Sequence, residues 1–187
     1  YKNEIIEEVP EVDAVLGTTS YGDILKAIRE AMEGKHFQEF KDIDYLPEKL
    51  GKRVLTTGGH FGYLKIAEGC DKHCTYCIIP KLRGKFRSVP MERLVTQAKE
   101  MAEEGVKELI LVAQETTVYG TDIYGKKSLH ILLKELCKIK GIRWIRVLYC
   151  YPEEIYDELI QTMKEEKKIC HYLDLPIQHA SDRILKR

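Results

Sequence analysis

The sequence predicts an α/β protein, a partial parallel β/α barrel preceded by the tail of another α/β domain. Strand-like and helix-like segments alternate through residues 58–187, as they do in consecutive β/α units. The strand segments are mainly apolar rather than cleanly alternating, which is typical of parallel strands that are covered on both faces. An earlier strand–helix pair lies within residues 1–34, and residues 35–57 show no period and are predicted to be a linker.

The N-terminal pair begins with an apolar strand at residues 12–16. The helix after it has apolar residues at helical spacing, namely Ile24, Leu25, Ile28 and Met32. We expect Ser20 to cap this helix and Gly34 to end it. The pair therefore indicates the C-terminal piece of a domain that precedes the linker.

The barrel part contains four predicted strands, at residues 63–67, 109–113, 144–148 and 171–175. Helices are expected after them, beginning near Ser88 and Pro90, at Leu129, at Pro152 and after Ser181. Gly105 and Gly141 follow the first two helices and are expected to end them. Parallel strands joined in this way form right-handed crossovers.

The composition excludes several classes of protein. The 187 residues have 30 basic and 30 acidic side chains, and 44% are hydrophobic, so the chain is not intrinsically disordered. The balanced charge gives no global basic field for binding nucleic acid. The chain has no apolar run of about 20 residues that would span a membrane, and no signal peptide is visible. It starts at Tyr1 rather than Met, and we expect an internal fragment of a longer cytoplasmic protein.

The cysteines carry the strongest chemical signal. Cys70, Cys74 and Cys77 follow the first barrel strand with the spacing Cys-x3-Cys-x2-Cys, and active sites of β/α barrels lie at this end of the strands. Three thiolates suit an iron–sulfur cluster or zinc. A four-iron cluster held by three cysteines would leave one iron open for reaction. A structural zinc site would need a fourth ligand, and His73 adjoins Cys74 too closely to serve easily.

The motif, with Tyr76 before its last cysteine, resembles that of the radical S-adenosylmethionine superfamily. The flanking residues 68–70, 77–80, 83–84 and 87–90 resemble the methylthiotransferases of that superfamily. Residues 112–120 and 172–181 resemble the branch that modifies protein twelve of the small ribosomal subunit. The branch that modifies transfer RNA tends to have Gly-Gln-Asn in the first of these loops. The resemblance covers residues 10–187.

The resemblance implies a [4Fe–4S] cluster whose open iron is chelated by the amino and carboxylate groups of S-adenosylmethionine. One electron cleaves the sulfonium, and the resulting 5′-deoxyadenosyl radical takes hydrogen from an unactivated carbon of an aspartate, where sulfur and a methyl group are added. It also implies a second [4Fe–4S] cluster, bound by an N-terminal methylthiotransferase domain of which residues 1–34 are the end. Residues 58–187 would be a radical S-adenosylmethionine barrel without its C-terminal part.

The implied partners are a small-subunit ribosomal protein or the ribosome, and a one-electron donor such as a flavodoxin or ferredoxin; no membrane is implied. This chain lacks the cysteines for the second cluster and an RNA-binding-like C-terminal domain. We therefore expect it to bind the cofactor without completing the transfer alone.

Polar residues after the strands are candidates for holding the cofactor. Gln114 and Glu115 follow the second strand and are predicted to bind the amino group of the methionine moiety; the alternative is a solvated loop. Gln178 follows the fourth strand and is predicted to reach the ribose or carboxylate; the alternative there is helix capping by Ser181. The backbone of Tyr76 is expected at the adenine edge. We assign no general acid or base.

The other three cysteines are predicted to be structural. Cys137 completes an apolar helix face, Cys150 is expected either to pack or to line the cavity, and Cys170 is expected to be inert. Arg146 would pair with a carboxylate if it pointed inward.

Two other functions remain open from the sequence. One keeps the radical chemistry and takes an adenosine of transfer RNA as substrate. The other is a non-catalytic module in which a metal or a cluster only holds a loop.

Overall fold

The computed structural model describes residues 2–46, 54–56 and 58–186. The chain divides into two compact units. The smaller contains Tyr1–Arg53 and Lys72–Lys85, and the larger contains Val54–Asp71 and Phe86–Arg187. This division differs from the predicted boundaries, because residues 72–85 group with the N-terminal part. The predicted domain assignments themselves stay predictions.

The smaller unit contains α1 (Lys2–Glu8), β1 (Ala14–Leu16), a 3₁₀ turn (Tyr21–Asp23), α2 (Ile24–Met32), β2 (Phe37–Glu39) and α3 (Ile79–Arg83). Strands β1 and β2 pair in parallel, with Ala14 opposite Phe37, and α2 connects them. The predicted strand and helix are confirmed, and Gly34 adopts a φ of +73° just beyond α2.

Two features of the smaller unit differ from expectation. Strand β2 lies within residues 35–57, because three residues are too few for an alternating pattern to show in the sequence. Residues 47–53 and 57 of the predicted linker lie outside the described residues, and the linker assignment stays a prediction. Ser20 does not cap α2, because its hydroxyl instead accepts a hydrogen bond from the Lys41 N–H at 2.9 Å.

The larger unit is built from short strands and the helices that connect them. In chain order these are β3 (Phe61–Lys65), β4 (Ala67–Glu68), β5 (Arg87–Ser88), α4 (Met91–Glu103), β6 (Glu108–Val112), α5 (Thr121–Tyr124), α6 (Leu129–Cys137), β7 (Trp144–Val147), a 3₁₀ turn (Pro152–Glu154), α7 (Asp157–Glu165) and α8 (Asp182–Leu185).

The central sheet of this unit has the order β3–β6–β7 with every pair parallel, which confirms the predicted α/β class. Helix α4 connects β3 to β6, and α6 connects β6 to β7, so the units are strand–helix–strand crossovers. The register places Leu64 opposite Leu111 and Leu111 opposite Val147. These three side chains are buried on one face of the sheet. Along each strand they alternate with residues of the opposite face, which are partly or fully exposed.

The half-exposed face of the sheet carries charge. Arg146 lies on it and donates a hydrogen bond from Nε to Glu108 Oε1 at 2.7 Å. The Arg146 guanidinium also lies 5.1 Å from the centre of the Tyr172 ring. This hydrogen bond to Glu108 is the main cause that raises the pKa of Arg146. Arg146 is therefore paired with a carboxylate on this half-exposed face.

Three predicted elements of the barrel differ from the structure. Residues 171–175 do not form a strand; one parallel bridge joins Ile145 to Ile169, and a local hydrogen bond from Tyr172 N to Cys170 O (2.8 Å) interrupts any ladder. The third helix begins at Asp157 rather than at Pro152, because Ile155 is extended with ψ of 141° and separates it from the 3₁₀ turn.

The third difference concerns Ser88, which lies in β5 rather than opening a helix. Its backbone pairs with Ala67 of β4, and α4 begins only after Pro90. Its hydroxyl accepts a hydrogen bond from the Gly120 N–H at 2.9 Å.

The segment after β6 forms a compact turn that is tied to β5. Gly120 has a φ of +89°, and the Ser128 N–H donates to the Tyr119 carbonyl at 2.7 Å. The buried Tyr119 hydroxyl donates to the Val89 carbonyl at 2.8 Å. Burial raises the pKa of this phenol, so it stays a hydrogen-bond donor.

Within the described ranges, no helix combines the length and the apolar character that crossing a bilayer requires.

Replacing Gly120 with Ala is expected to destabilise the protein by about 3 kcal/mol, because overpacking adds to left-handed strain. A Cβ at this position would lie 2.7 Å from Ser128 Cβ and 2.9 Å from Tyr124 Cδ2. The matched control is Gly125→Ala, since Gly125 has a φ of +70° and nothing within 4 Å of its Cβ position. We expect a loss of only about 1 kcal/mol there. Urea unfolding followed by circular dichroism measures both, and equal losses would contradict the packing argument.

Candidate functional site

The candidate site lies at the carboxyl edge of the central sheet. Because parallel strands end at the same edge, the loops after β3, β6 and β7 begin side by side. In β/α barrels this edge carries the functional residues.

Glu115, in the loop after β6, joins that loop to the one after β7. Its side chain is buried, and its Oε1 accepts hydrogen bonds from the Thr117 N–H at 3.1 Å and the Tyr151 N–H at 3.4 Å. The Thr117 hydroxyl donates to the same oxygen. Glu115 is therefore not the solvated loop residue of the alternative reading; it fixes two adjacent loops.

Thr116 makes a second link between these loops. It is fully buried, and its Oγ1 lies 2.8 Å from the Leu148 carbonyl oxygen and 2.9 Å from that of Tyr149, so its one proton is shared between them. Its N–H also donates to the Tyr149 carbonyl at 3.1 Å. The ends of β6 and β7 are thus tied by side chain and backbone together.

Tyr149 has an unusual backbone conformation at this edge. Its φ is +58°, in the left-handed region that costs a residue with a Cβ about 1–3 kcal/mol. The Tyr149 N–H donates to Asp174 Oδ2 at 3.1 Å, and the next N–H, of Cys150, donates to the Asp174 carbonyl at 2.9 Å. Asp174 therefore holds this turn through two N–H groups, whereas Thr116 holds it through two carbonyl oxygens.

Gln114 presents a polar atom suited to a ligand. Its Oε1 is buried and has no hydrogen-bond partner among the described residues. An amide oxygen left in this state costs about 1–3 kcal/mol. Since the strand ends meet at this edge, a donor on a bound molecule would relieve that cost.

The loop after β3 leads into the cysteine motif. Gly69 has a φ of +79°, and its N–H donates to Glu68 Oε1 at 3.3 Å. Glu68 is buried and also forms an ion pair with Lys65. Cys70 follows directly, and the Phe86 N–H donates to Asp71 Oδ1 at 3.0 Å.

Cys74 and Cys77 belong to the smaller unit. The Cys77 N–H donates to the Cys74 carbonyl at 3.0 Å, and the Tyr76 side chain between them is 72% exposed. Cys70, Cys74 and Cys77 are partly accessible, and none of them is in a disulfide. In the part of the chain that the structure describes, no three His, Cys, Asp or Glu side chains are gathered in a metal-binding arrangement.

The donor set nevertheless fits an iron–sulfur cluster. Three partly accessible cysteines outside any disulfide lie on one short loop, and soft thiolates are the ligands such clusters take. Ligation by Cys70, Cys74 and Cys77 stays a prediction.

Gln178 is exposed and has a φ of +61°, and its Nε2 donates to the Pro176 carbonyl at 3.2 Å. The Ser181 N–H donates to His179 Nδ1 at 2.9 Å, and the Ser181 hydroxyl makes no capping hydrogen bond to α8. The predicted cofactor roles of Gln178 and of Tyr76 stay predictions.

The sequence indicates no role for Thr116 or Asp174, and it places Tyr149 only among the polar residues of the loop after the third strand. The one local signal was the polar Thr pair after Glu115. Asp174 was placed in a strand, and its contacts with the turn after β7 arise only from the tertiary fold.

The three cysteines outside the motif have thiol pKa values that burial raises. Cys137 lies on the buried face of α6, and Cys150 is fully buried, so it packs rather than facing solvent. Burial raises the pKa of each of these thiols to about 11. It also raises the pKa of Cys170.

We expect iodoacetamide at pH 8 to label Cys70, Cys74 and Cys77 of the metal-free protein while sparing Cys137 and Cys150. A thiol with a pKa raised to about 11 holds only about one thousandth of its population as thiolate at pH 8. Peptide mass spectrometry after anaerobic labelling measures each site, and labelling in urea is the control for intrinsic reactivity. Native labelling of Cys150 at the rate of Cys74 would contradict its burial.

The family model described as "Radical SAM superfamily" matches residues 64–187. Among solved structures, the chain resembles the radical S-adenosylmethionine methyltransferase TsrM from Kitasatospora setae, in a structure with tryptophan substrate and a cofactor analogue bound. The TM-score is 0.54 at 16% identity, over 68% of this chain and 23% of that one. A second TsrM structure, with cobalamin and a [4Fe–4S] cluster bound, gives a TM-score of 0.53 at 15% identity, over 67% and 24% of the two chains.

Curated relatives match over the whole chain. The chain is 67% identical to the ribosomal protein uS12 methylthiotransferase RimO of Lachnoclostridium phytofermentans, and 55% identical to the protein of the same name from Clostridium botulinum. In both cases it spans 100% of its own length and 42% of the relative's. On the family match, which covers most of its residues, this chain belongs to the radical S-adenosylmethionine superfamily.

Proposed function

We propose that this chain is the radical-generating part of a methylthiotransferase that adds sulfur and a methyl group to an aspartate of ribosomal protein uS12. The observation that carries the proposal is 67% identity, over every residue of the chain, to a relative named as a uS12 methylthiotransferase. The chain corresponds to 42% of that relative, so the complete reaction belongs to a longer protein.

In this proposal Cys70, Cys74 and Cys77 hold a [4Fe–4S] cluster beside S-adenosylmethionine. When bound, the pair supplies a one-electron route to a carbon radical strong enough to remove hydrogen from an unactivated C–H bond. The turn at Gly69 starts the motif at the carboxyl edge of the sheet, and the Cys74–Cys77 turn spaces the remaining two thiols.

Gln114 is the proposed contact to the amino group of the cofactor. Its buried Oε1 can accept a hydrogen bond from an ammonium group, and such a charge-assisted bond is stronger than a neutral one. Glu115 uses Oε1 to hold Thr117 and Tyr151, and its negative charge favours the same ammonium. The backbone of Tyr76 and the side chain of Gln178 complete the proposed cofactor site on the resemblance alone.

The remaining parts of the proposal concern the longer protein. Residues 1–34 would end an N-terminal domain that holds a second [4Fe–4S] cluster, and the C-terminal part of the barrel would follow Arg187. A flavodoxin or ferredoxin would supply the electron, and the reaction would take place in the cytoplasm. Transfer RNA is the rival substrate, which the names of the curated relatives disfavour. A purely structural metal module is disfavoured by the buried, unpartnered oxygen of Gln114.

Replacing Cys74 with Ala in the full-length enzyme is expected to abolish methylthio transfer to uS12, because the cluster loses one of its three thiolates. The enzyme is reconstituted anaerobically with iron and sulfide, and it is incubated with uS12 and with transfer RNA in parallel. Mass spectrometry detects the added group, and electron paramagnetic resonance reports the cluster. The matched control, Cys170→Ala, should retain both signals.

Modification of transfer RNA but not of uS12 would contradict the proposed substrate. An unchanged cluster signal in the Cys74 variant would contradict the proposed ligands.

Replacing Gln114 with Ala is expected to weaken S-adenosylmethionine binding about ten- to a hundredfold, since a hydrogen bond to a charged group contributes about 1.5–3 kcal/mol. Equilibrium dialysis with the reconstituted enzyme measures the Kd. The control is Gln161→Ala, because Gln161 is exposed on α7 and donates to Glu165 Oε1 at 2.6 Å. Equal Kd values for the two variants would remove Gln114 from the site.

A further inference from the structure

Tyr149 stands at the carboxyl end of β7 in a conformation that its own side chain does not explain. Among the described residues, only Tyr149 and Gln178 have a positive φ without being glycine. The left-handed conformation crowds Cβ against the following carbonyl. A structure keeps such a residue only when its surroundings over-determine it.

The surroundings of Tyr149 do so from two sides, and we name these contacts the Thr116–Asp174 clamp. On one side, the Thr116 N–H and Oγ1 lie 3.1 and 2.9 Å from the Tyr149 carbonyl oxygen. On the other, Asp174 Oδ2 accepts from the Tyr149 N–H at 3.1 Å, and the Asp174 carbonyl accepts from Cys150. Two neighbouring segments thus fix one residue.

The clamp acts on the backbone and leaves the side chain of Tyr149 available. The residue is 52% exposed, whereas the next residue, Cys150, is fully buried. Within the described residues, no hydrogen bond or ring contact engages the Tyr149 phenol or ring. No hydrogen bond or ring contact of the side chain therefore offsets the backbone strain, and the half-exposed phenol lies at the edge where barrel sites lie.

We propose that Tyr149 is a substrate-binding residue, which the Thr116–Asp174 clamp presents to the peptide segment that carries the modified aspartate. A tyrosine ring offers a flat apolar face and a hydroxyl in one rigid side chain, a combination suited to peptide recognition. Its exposure makes it accessible to a protein substrate, while the buried Gln114 oxygen suits a small cofactor. This inference rests on the proposed function.

The test compares three variants of the full-length, reconstituted enzyme. Tyr149→Gly removes the side chain but favours the same left-handed backbone, so the fold should be kept. Tyr149→Phe removes only the hydroxyl. Trp144→Ala is the control, because Trp144 lies at the opposite end of β7 and is also 52% exposed.

We expect Tyr149→Gly to raise the KM for uS12 about tenfold, the equivalent of losing one good contact. The Kd for S-adenosylmethionine should change less than about twofold, and the melting temperature by no more than a few degrees. Trp144→Ala should keep the KM of the wild type. A second pair tests the clamp: Thr116→Val should raise the KM, and Thr116→Ser, which keeps the hydroxyl, should restore it.

A wild-type KM in Tyr149→Gly overturns the inference. A weaker Kd for S-adenosylmethionine with an unchanged KM for uS12 also overturns it, because the ring would then contact the cofactor. A raised KM for uS12 in Tyr149→Phe supports a contact through the hydroxyl. If Tyr149→Phe keeps the wild-type KM while Tyr149→Gly raises it, the contact is through the ring. If the wild-type enzyme itself leaves uS12 unmodified, the proposed function fails and this inference falls with it.

Discussion

The candidate site depends on hydrogen bonds that run between the loops after β6 and β7. Glu115 accepts the N–H of Tyr151, and Thr116 bonds the carbonyls of Leu148 and Tyr149. Strand pairing aligns the strands themselves but does not fix the loops beyond them. These hydrogen bonds between the two loops fix the backbone beyond the paired residues of the strands. They therefore position the atoms that would contact a ligand.

Burial makes these few bonds effective. Glu115 and Thr116 are both almost inaccessible to water. Water therefore does not compete for the hydrogen bonds that their side chains make. Gln114 lies one residue earlier, with its oxygen buried but unpartnered. Glu115 and Thr116 thus find their hydrogen-bond partners within the protein, whereas the Gln114 oxygen can accept a hydrogen bond from a bound molecule.

Many of the strands and helices can be predicted from the sequence, because the patterns that indicate them lie within short segments of the chain. The strands β6 and β7 are mainly apolar, and α4 and α6 repeat their apolar residues at helical spacing. Where prediction failed, the deciding contact was distant. Ser20 and Ser88 carry typical capping side chains, yet their hydroxyls bond Lys41 and Gly120 instead.

The cysteine motif could be found because three thiols on one short loop are a local pattern. The clamp around Tyr149 could not, because Thr116 and Asp174 meet it only after folding. Strand β2 and the pair β4–β5 could not be predicted from the sequence, because strands of two or three residues are too short to show a periodic pattern.

The burial of Cys137 and Cys150 bears on how such a protein would acquire iron. Loading a chain with iron and sulfide is a competition among all of its thiols, and a stray thiolate near the site would capture metal in the wrong place. Here burial raises the pKa of two of the six thiols, Cys137 and Cys150, so both stay protonated near neutral pH. The core thus lowers the number of thiolates that compete with the three motif cysteines for iron.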